Sequence, residues 1–382
     1  MKRTALFLFL SFLYAFSPGF TSAQPSLKVG ALIPFSGQWG DSGKECAKGI
    51  LDATKSLNQR VGIAGTKLEI ILIDDTSDPA ETVAAFRKMN EADQILLLYI
   101  HSTGTALSLL PHIQFNRIPT LASSFPFHLA NPSKYPYIFS INPTDLDLSK
   151  IAVKFVSERS GIQARRPKIV FVGSPDHSSR YFLEETKKYA RQMDLQVGPD
   201  IWLSGLSPSF PLSIINSYNP DFAYLSLGPK EAFSMLQGAR EMGLRTRWVC
   251  SAKAFDETLA PFNGVYGVQP VSPFGEDVPG MAEIKEAHQR WHPFDSHTLS
   301  YVEGWATIQV IAEALARAIT DQGISRERVK PALESFKNFI LGGLVPPLTV
   351  TPADHRPSVE SRIFVTREGK ISNYTEFISV ER

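Results

Sequence analysis

Several stretches of this sequence place reactive side chains at spacings that could support chemistry. Gly40-Asp41-Ser42-Gly43 sets an acid and a hydroxyl between glycines, as in the nucleophile turn of some serine proteases. Lys44 follows where that turn needs another glycine, and Ser42 with Glu45 reads better as a helix capping box. Gly43-Lys44 also hints at a phosphate loop, but the earlier spaced glycine is missing and Glu45 stands where a metal-binding hydroxyl is required. No GxSxG elbow occurs anywhere in the chain. His288 and His292 lie four apart, with Asp295 and His297 beyond, a spacing that could gather metal ligands. Pro293 stops the helix there and no general base accompanies the pair, so the segment reads as an exposed polar helix end. Asp74-Asp75 could supply a paired acid and base, yet their place at a strand end before a capped helix points to turn chemistry. The turn Ser102-Thr103-Gly104-Thr105 offers hydroxyls, a glycine that lets a ligand approach, and the N–H groups of a following helix, a combination suited to a carboxylate. The alternative is that Ser102 or Thr103 only caps that helix.

These residues must be positioned by the elements around them, and the hydrophobic pattern defines those elements. Short β-rich apolar runs alternate with amphipathic helical stretches, the pattern of a mostly parallel sheet flanked by helices. Leu27 to Ile33 reads as a buried strand, followed by a helix whose Cys46, Ile50, Ala53 and Leu57 recur at helical spacing. Leu68 to Ile73 and Ile95 to Tyr99 read as the next strands, and Asp78-Pro79-Ala80-Glu81 carries a cap, a first-turn proline and an acid in the first turn. After Asn142-Pro143-Thr144-Asp145 the alternation restarts, with a helix from Leu146 to Arg159 and strands at Lys168 to Gly173, Gln196 to Leu203, Phe222 to Leu227 and Arg247 to Cys250. Long helices follow at Met281 to Trp291 and Leu299 to Thr320. The tail carries strands at Ser361 to Val365 and Tyr374 to Val380, joined by the hairpin signal Arg367-Glu368-Gly369-Lys370.

Composition narrows the function classes. Met1 to Ala23 has a basic start, an apolar middle and small residues before a cut, so it reads as a signal peptide cleaved after Ala23. Without Lys2 and Arg3 the 39 basic residues fall to 37 against 38 acidic ones, a formal charge of −1 that gives no case for nucleic acid or an anionic membrane surface. A 43% hydrophobic content over this length permits two domains with large cores. Cys46 and Cys250 fall in distant segments and read as two free, buried thiols.

Taken in order, several pieces resemble the branched-chain amino-acid-binding family of periplasmic solute receptors that serve ABC importers. They are Lys28-Val29-Gly30-Ala31-Leu32-Ile33-Pro34-Phe35-Ser36-Gly37 with Trp39-Gly40, then Gly65-Thr66-Lys67-Leu68-Glu69, Asp74-Asp75 through Asp78-Pro79, Ser102-Thr103-Gly104-Thr105, Ile118-Pro119, Asn131-Pro132 and Tyr137-Ile138-Phe139. Each is weak alone; the ordered set spans nearly the whole mature chain. The resemblance implies an α/β fold of two Rossmann-like lobes, the type I periplasmic binding protein fold, joined by three crossover segments with a ligand cleft between them. It puts the crossings near Pro143, Gln269 and Pro347, hence an N-terminal lobe of 24–142 and 270–346 and a C-terminal lobe of 143–269 and 347–382.

It implies ligand contacts at Trp39, Ser102, Ser123 and Phe125 in the first lobe and in the loops holding Ser178, Gly228 and Lys253 in the second; the chemistry of His101, Thr103, Ser124 and the Lys253 cation places them in the same ligand-binding set. This sequence departs from the family where Phe125 replaces a ligand-binding threonine, Ser178 replaces a tyrosine, and Ala252, beside Lys253, replaces the acid that faces a ligand ammonium. The implied protein is a periplasmic, monomeric solute-binding component of an ABC importer, closing its lobes over a carboxylate-bearing small molecule, an aromatic or organic acid in preference to an α-amino acid. Its partners would be the solute and membrane permease subunits. No catalytic residue, metal or cofactor is expected. The alternatives are a ligand-sensing receptor subunit of the same fold and an exported α/β hydrolase.

Overall fold

The structure, a computed structural model, describes residues 26–382 apart from 38, 39, 77, 124–126, 160 and 163. Strands β1 (Leu27–Ile33), β2 (Leu68–Asp74), β3 (Leu97–Ile100), β4 (Thr120–Ala122) and β5 (Ile138–Ser140) form one parallel sheet in the order β2-β1-β3-β4-β5. Its strands lie between two helical layers, as a parallel sheet requires. Period-two alternation divides β1 between them: Val29, Ala31 and Ile33 enter one core with α1 (Gly40–Arg60), α8 (Met281–Trp291), α9 (Leu299–Ala318) and α10 (Arg326–Leu333), while Leu32 enters the other with α2 (Pro79–Glu91) and α3 (Thr103–Asn116).

The second sheet repeats the plan. Strands β6 (Lys168–Gly173), β7 (Gln196–Trp202), β8 (Phe222–Ser226), β9 (Arg247–Cys250) and β10 (Tyr266–Gln269) run parallel in the order β7-β6-β8-β9-β10, the same permutation as the first. Helices α4 (Asp145–Arg159) and α5 (His177–Gln192) cover one face, α6 (Ser209–Tyr218) and α7 (Pro229–Glu241) the other. Strands β11 (Glu360–Arg367) and β12 (Lys370–Asn373) extend it antiparallel, and β13 (Ile378–Ser379) pairs back onto β11.

Two expectations are corrected. Ser42 does not open α1, which begins at Gly40, and Glu45 does not cap it; its carboxylate faces Lys48 at 2.8 Å and His297 at 3.3 Å. In the tail, Glu368 (φ 52°) and Gly369 (φ 74°) make a two-residue left-handed turn, so Arg367 pairs with Lys370 at once and the return strand ends before Tyr374.

The chain passes between the two sheets three times, and side chains on either side are tied to opposite cores. In the first passage Asn142 donates to Glu303 of α9 at 2.9 Å, and Thr144 to Asp147 of α4 at 2.6 Å. In the second, Gln269 donates to the Ala252 and Phe255 carbonyls of the loop after β9, whereas the Ser272 N–H donates to Leu344 O at 2.9 Å. In the last, the buried His355 bonds Ile138 O at 2.8 Å and stacks on Phe139, while the adjacent Arg356 donates to Asp147 at 3.1 Å. Leu348 and Val350, upstream of that point, pack in the core of α1 and α9. Cys46 and Cys250 are both free and buried.

Candidate functional site

In each sheet the order of connection reverses beside one strand, between β1 and β3 and between β6 and β8. Loops leaving the carboxyl ends there turn to opposite faces and open a crevice. The first crevice is bordered by Phe35, whose N–H donates to Asp74 at 2.7 Å, and by His101, whose N–H donates to Leu32 O at 3.1 Å. Ser102 caps α3: its hydroxyl accepts the Thr105 N–H at 3.2 Å and donates to Asp75 at 2.9 Å. Asp75 is 1% exposed and also takes hydroxyls from Thr82 and Thr105. The acid pair is therefore structural, and Ser102 is engaged as a cap. What the start of α3 turns outward is its dipole and Gly104, where an added side chain would meet nothing within 4 Å.

His101 bonds the Tyr99 hydroxyl at 3.2 Å, and Tyr99 reaches the Cys46 thiol at 3.5 Å. Burial lowers the His101 pKa below its ordinary value, with Glu303 and Asp75 opposing, so the ring is neutral at neutral pH. Ser123, at the end of β4, donates its hydroxyl to Glu303, which also receives Asn142. Glu303 also lines a small cavity of about 10 Å³ together with Ile141, Asn142, Ala306, Thr307, Val310 and Val345. Sequence reading missed Glu303; its only signal is an acid set between Val302 and Trp305 in a buried stretch of α9.

The second crevice is bordered by Asp176, which caps α5, by Gly228, which precedes Pro229 at the start of α7, and by Lys253 beyond β9. Lys253 is exposed, and its charge reaches both Asp145, at the start of α4, and Asp176. Loss of hydration raises the Asp145 carboxyl above its usual range although the residue keeps contact with water; Lys253 opposes that rise. Two hydroxyls on adjacent strands, Tyr224 of β8 and Ser251 after β9, are buried without a hydrogen-bond partner. Thr103 is the first residue of α3 and Ser178 lies in the first turn of α5. Trp39, Ser124 and Phe125 fall outside the described residues.

The two sets of carboxyl ends face each other. Phe127, in the short 3₁₀ helix Phe127–Ala130 after β4, stacks on Tyr181 of α5 with ring centroids 6.0 Å apart and planes 4° off parallel. At a second place Glu257, beyond β9, accepts the Leu299 N–H of α9 at 2.8 Å.

The histidines singled out by spacing do meet, but as packing. His297 is buried, stacks on Tyr301 at 3.7 Å and faces Glu45, while His292 faces Asp52 at 3.0 Å. The reading of an exposed helix end therefore fails for His297, because the folding of α8 against α1 and α9 covers it. Among the described residues no grouping of His, Cys, Asp and Glu is arranged to hold a metal ion.

Comparison with known proteins gives the same architecture. The periplasmic binding protein family matches residues 26–370. The Leu/Ile/Val-binding protein homolog 7 of Brucella suis is 20% identical over 354 residues, covering 83% of each chain. A branched-chain amino acid ABC transporter protein from Thermus thermophilus with bound valine superposes with a TM-score of 0.82 at 21% identity, covering 94% of this chain and 97% of that one. A fatty acid ABC transporter substrate-binding protein from Thermomonospora curvata gives 0.81 at 21% identity, with 93% of each chain covered. A solute-binding protein from R. palustris in complex with benzoate gives 0.76 at 17% identity, covering 94% and 98%.

Proposed function

Since this chain belongs to the periplasmic binding protein family, we propose that it is the extracytoplasmic solute-binding component of an ABC importer, and that it closes two lobes over a small carboxylate-bearing molecule. The observation that carries this reading is the Phe127–Tyr181 stack, a contact between the segment after β4 and the helix after β6 of two identically ordered parallel sheets. A solute between them would meet the start of α3 at Gly104 and His101 on one side, and Lys253 with the Ser251 hydroxyl on the other. A molecule touching both sides favours the apposed form by its differential affinity, and the apposed form presents a new surface to permease subunits.

The lobes in this proposal comprise the first sheet with α1–α3 and α8–α10, and the second sheet with α4–α7 and the C-terminal strands. Residues 1–23 would be removed on export. Trp39, Ser123, Ser124, Phe125, Thr103, Ser178 and Gly228 belong to the same proposed contact set.

An acid is favoured over an α-amino acid. By the family resemblance Ala252 falls where an acid would face a ligand ammonium, with Lys253 beside it, and Glu303 is already engaged by Ser123 and Asn142. An ammonium without its carboxylate forfeits a charge-assisted hydrogen bond worth about 1.5–3 kcal/mol. Valine, benzoate and a fatty acid, the molecules named for the structural neighbours, have a carboxylate in common and only valine has an amine. Calorimetry of the mature chain against separate panels of α-amino acids, aromatic acids and aliphatic acids tests the reading. Saturable binding of an acid without an amine supports it. Binding confined to leucine-like ligands overturns the ligand class, and turnover of a captured solute overturns the binding-protein reading itself.

A further inference from the structure

Helix α9 is the central buried helix of the first lobe, and its N-terminus is held in an unusual way. Thr298 precedes it with φ −111° and ψ 174°, the extended backbone of an N-cap residue, yet its side chain caps nothing. The Thr298 hydroxyl is instead buried with no hydrogen-bond partner. The first N–H of the helix, that of Leu299, donates across the lobe boundary to Glu257 at 2.8 Å. Glu257 opens a short 3₁₀ helix, Glu257–Leu259, whose Leu259 packs in the core of the second sheet, whereas Tyr301, Val302 and Trp305 of α9 pack in the core of the first. So one lobe supplies the acceptor for the other lobe's helix, while the resident cap stands idle beside it.

A buried orphan hydroxyl costs stability and calls for an explanation. A protein that works by moving two lobes has one. We propose that α9 changes caps as the lobes move: Glu257 holds the helix start when the lobes meet, and the Thr298 hydroxyl turns onto the N–H of Ser300 when they part; the Tyr301 N–H is already taken by the Thr298 carbonyl at 3.0 Å. Each arrangement then has an acceptor at the helix start, and the balance between them is set by two residues that need not touch the solute. The inference rests on the solute-binding reading only for the lobe motion.

The test is a double-mutant cycle on the solute-free mature protein, with Thr298→Ala, Glu257→Ala and the pair, read by thermal unfolding and small-angle scattering. Thr298→Ala alone should make the protein more compact, because only the parted form loses its cap. Each single variant can retreat to the arrangement its remaining cap serves, so the pair should lower the melting temperature by several degrees more than the two single losses together. Additive losses, or a Thr298→Ala scattering profile identical to that of the parent, overturn the proposal. Neither readout uses a solute, so failure here leaves the solute-binding reading standing, and failure of every ligand panel leaves this one standing.

Discussion

Asp75 accepts the Ser102 hydroxyl at 2.9 Å, which ties the loop after β2 to the cap of α3. The residue best placed by sequence to touch a ligand is thereby part of the scaffold that presents α3 to the crevice. Ser102→Ala removes both the cap and a bond to a buried carboxylate, and should cost about 1–2 kcal/mol, seen as a lower melting temperature of the solute-free protein. An unchanged melting temperature together with lost binding would assign Ser102 to the ligand alone.

Helices α1 and α9 touch backbone to backbone. A Cβ on Gly304 would lie 2.1 Å from the Cys46 carbonyl oxygen, and one on Gly49 would lie 2.0 Å from that of Tyr301. Neither neighbour is a side chain that can swing aside. Gly304→Ala should therefore destabilise by about 3 kcal/mol, near the upper end for overpacking, and chemical denaturation should show an earlier midpoint at unchanged slope. A variant as stable as the parent would mean that the helices separate without cost.

Lys253 sits at the second crevice, where its charge also reaches Asp145 and Asp176, and its removal should weaken an anionic ligand. For whichever panel acid binds the parent, Lys253→Gln should raise Kd by about ten- to a hundredfold, the loss of one charge-assisted hydrogen bond. Unchanged affinity measured by calorimetry would remove Lys253 from the contact set.

Closure should depend on pH through Glu257. Where the lobes meet, burial pushes its carboxyl up to about 7, helped by the Asp256 and Glu45 charges and opposed by the Leu299 N–H; Glu45 is itself held by Lys48 and His297. In the parted form, open to water, the ordinary value of about 4.5 applies. A group whose pKa is higher in the apposed form takes up a proton as the lobes meet, so its contribution to compaction is fully present below about pH 4.5 and is lost as pH rises through about 7. Scattering of the solute-free protein should show a smaller radius of gyration at pH 5 than at pH 8, and Glu257→Gln should flatten that difference. A Gln variant with the parent's pH response would place the titration elsewhere.

Legibility followed the range of the interactions. Strands β1, β6 and β9 and helix α8 occupy the residues that hydrophobic spacing assigned, because each buries a continuous apolar face in a core. The cap at Asp78 with Pro79 was legible because its bonds, to the N–H groups of Ala80 and Glu81 at 2.8 and 2.9 Å, close within one turn. Ser42 misled for the complementary reason: its spacing to Glu45 fits a capping box, but Glu45 finds Lys48 and His297, the latter far along the chain. Glu303 carries only the weak mark of an acid between Val302 and Trp305, and Thr298 none; what distinguishes them is a partner, or the loss of one, in the folded chain.

By itself the sequence determined the alternation of strand and helix, the two α/β units and the likeness to solute receptors, since these depend on period and on short ordered motifs. Only the tertiary structure decided that Ser102 and Asp75 hold each other, that a histidine thought exposed is buried, and that one lobe completes the other's helix. Hydrogen-bond acceptors are satisfied by whatever comes within 3 Å in space, and distance along the chain does not say what that will be.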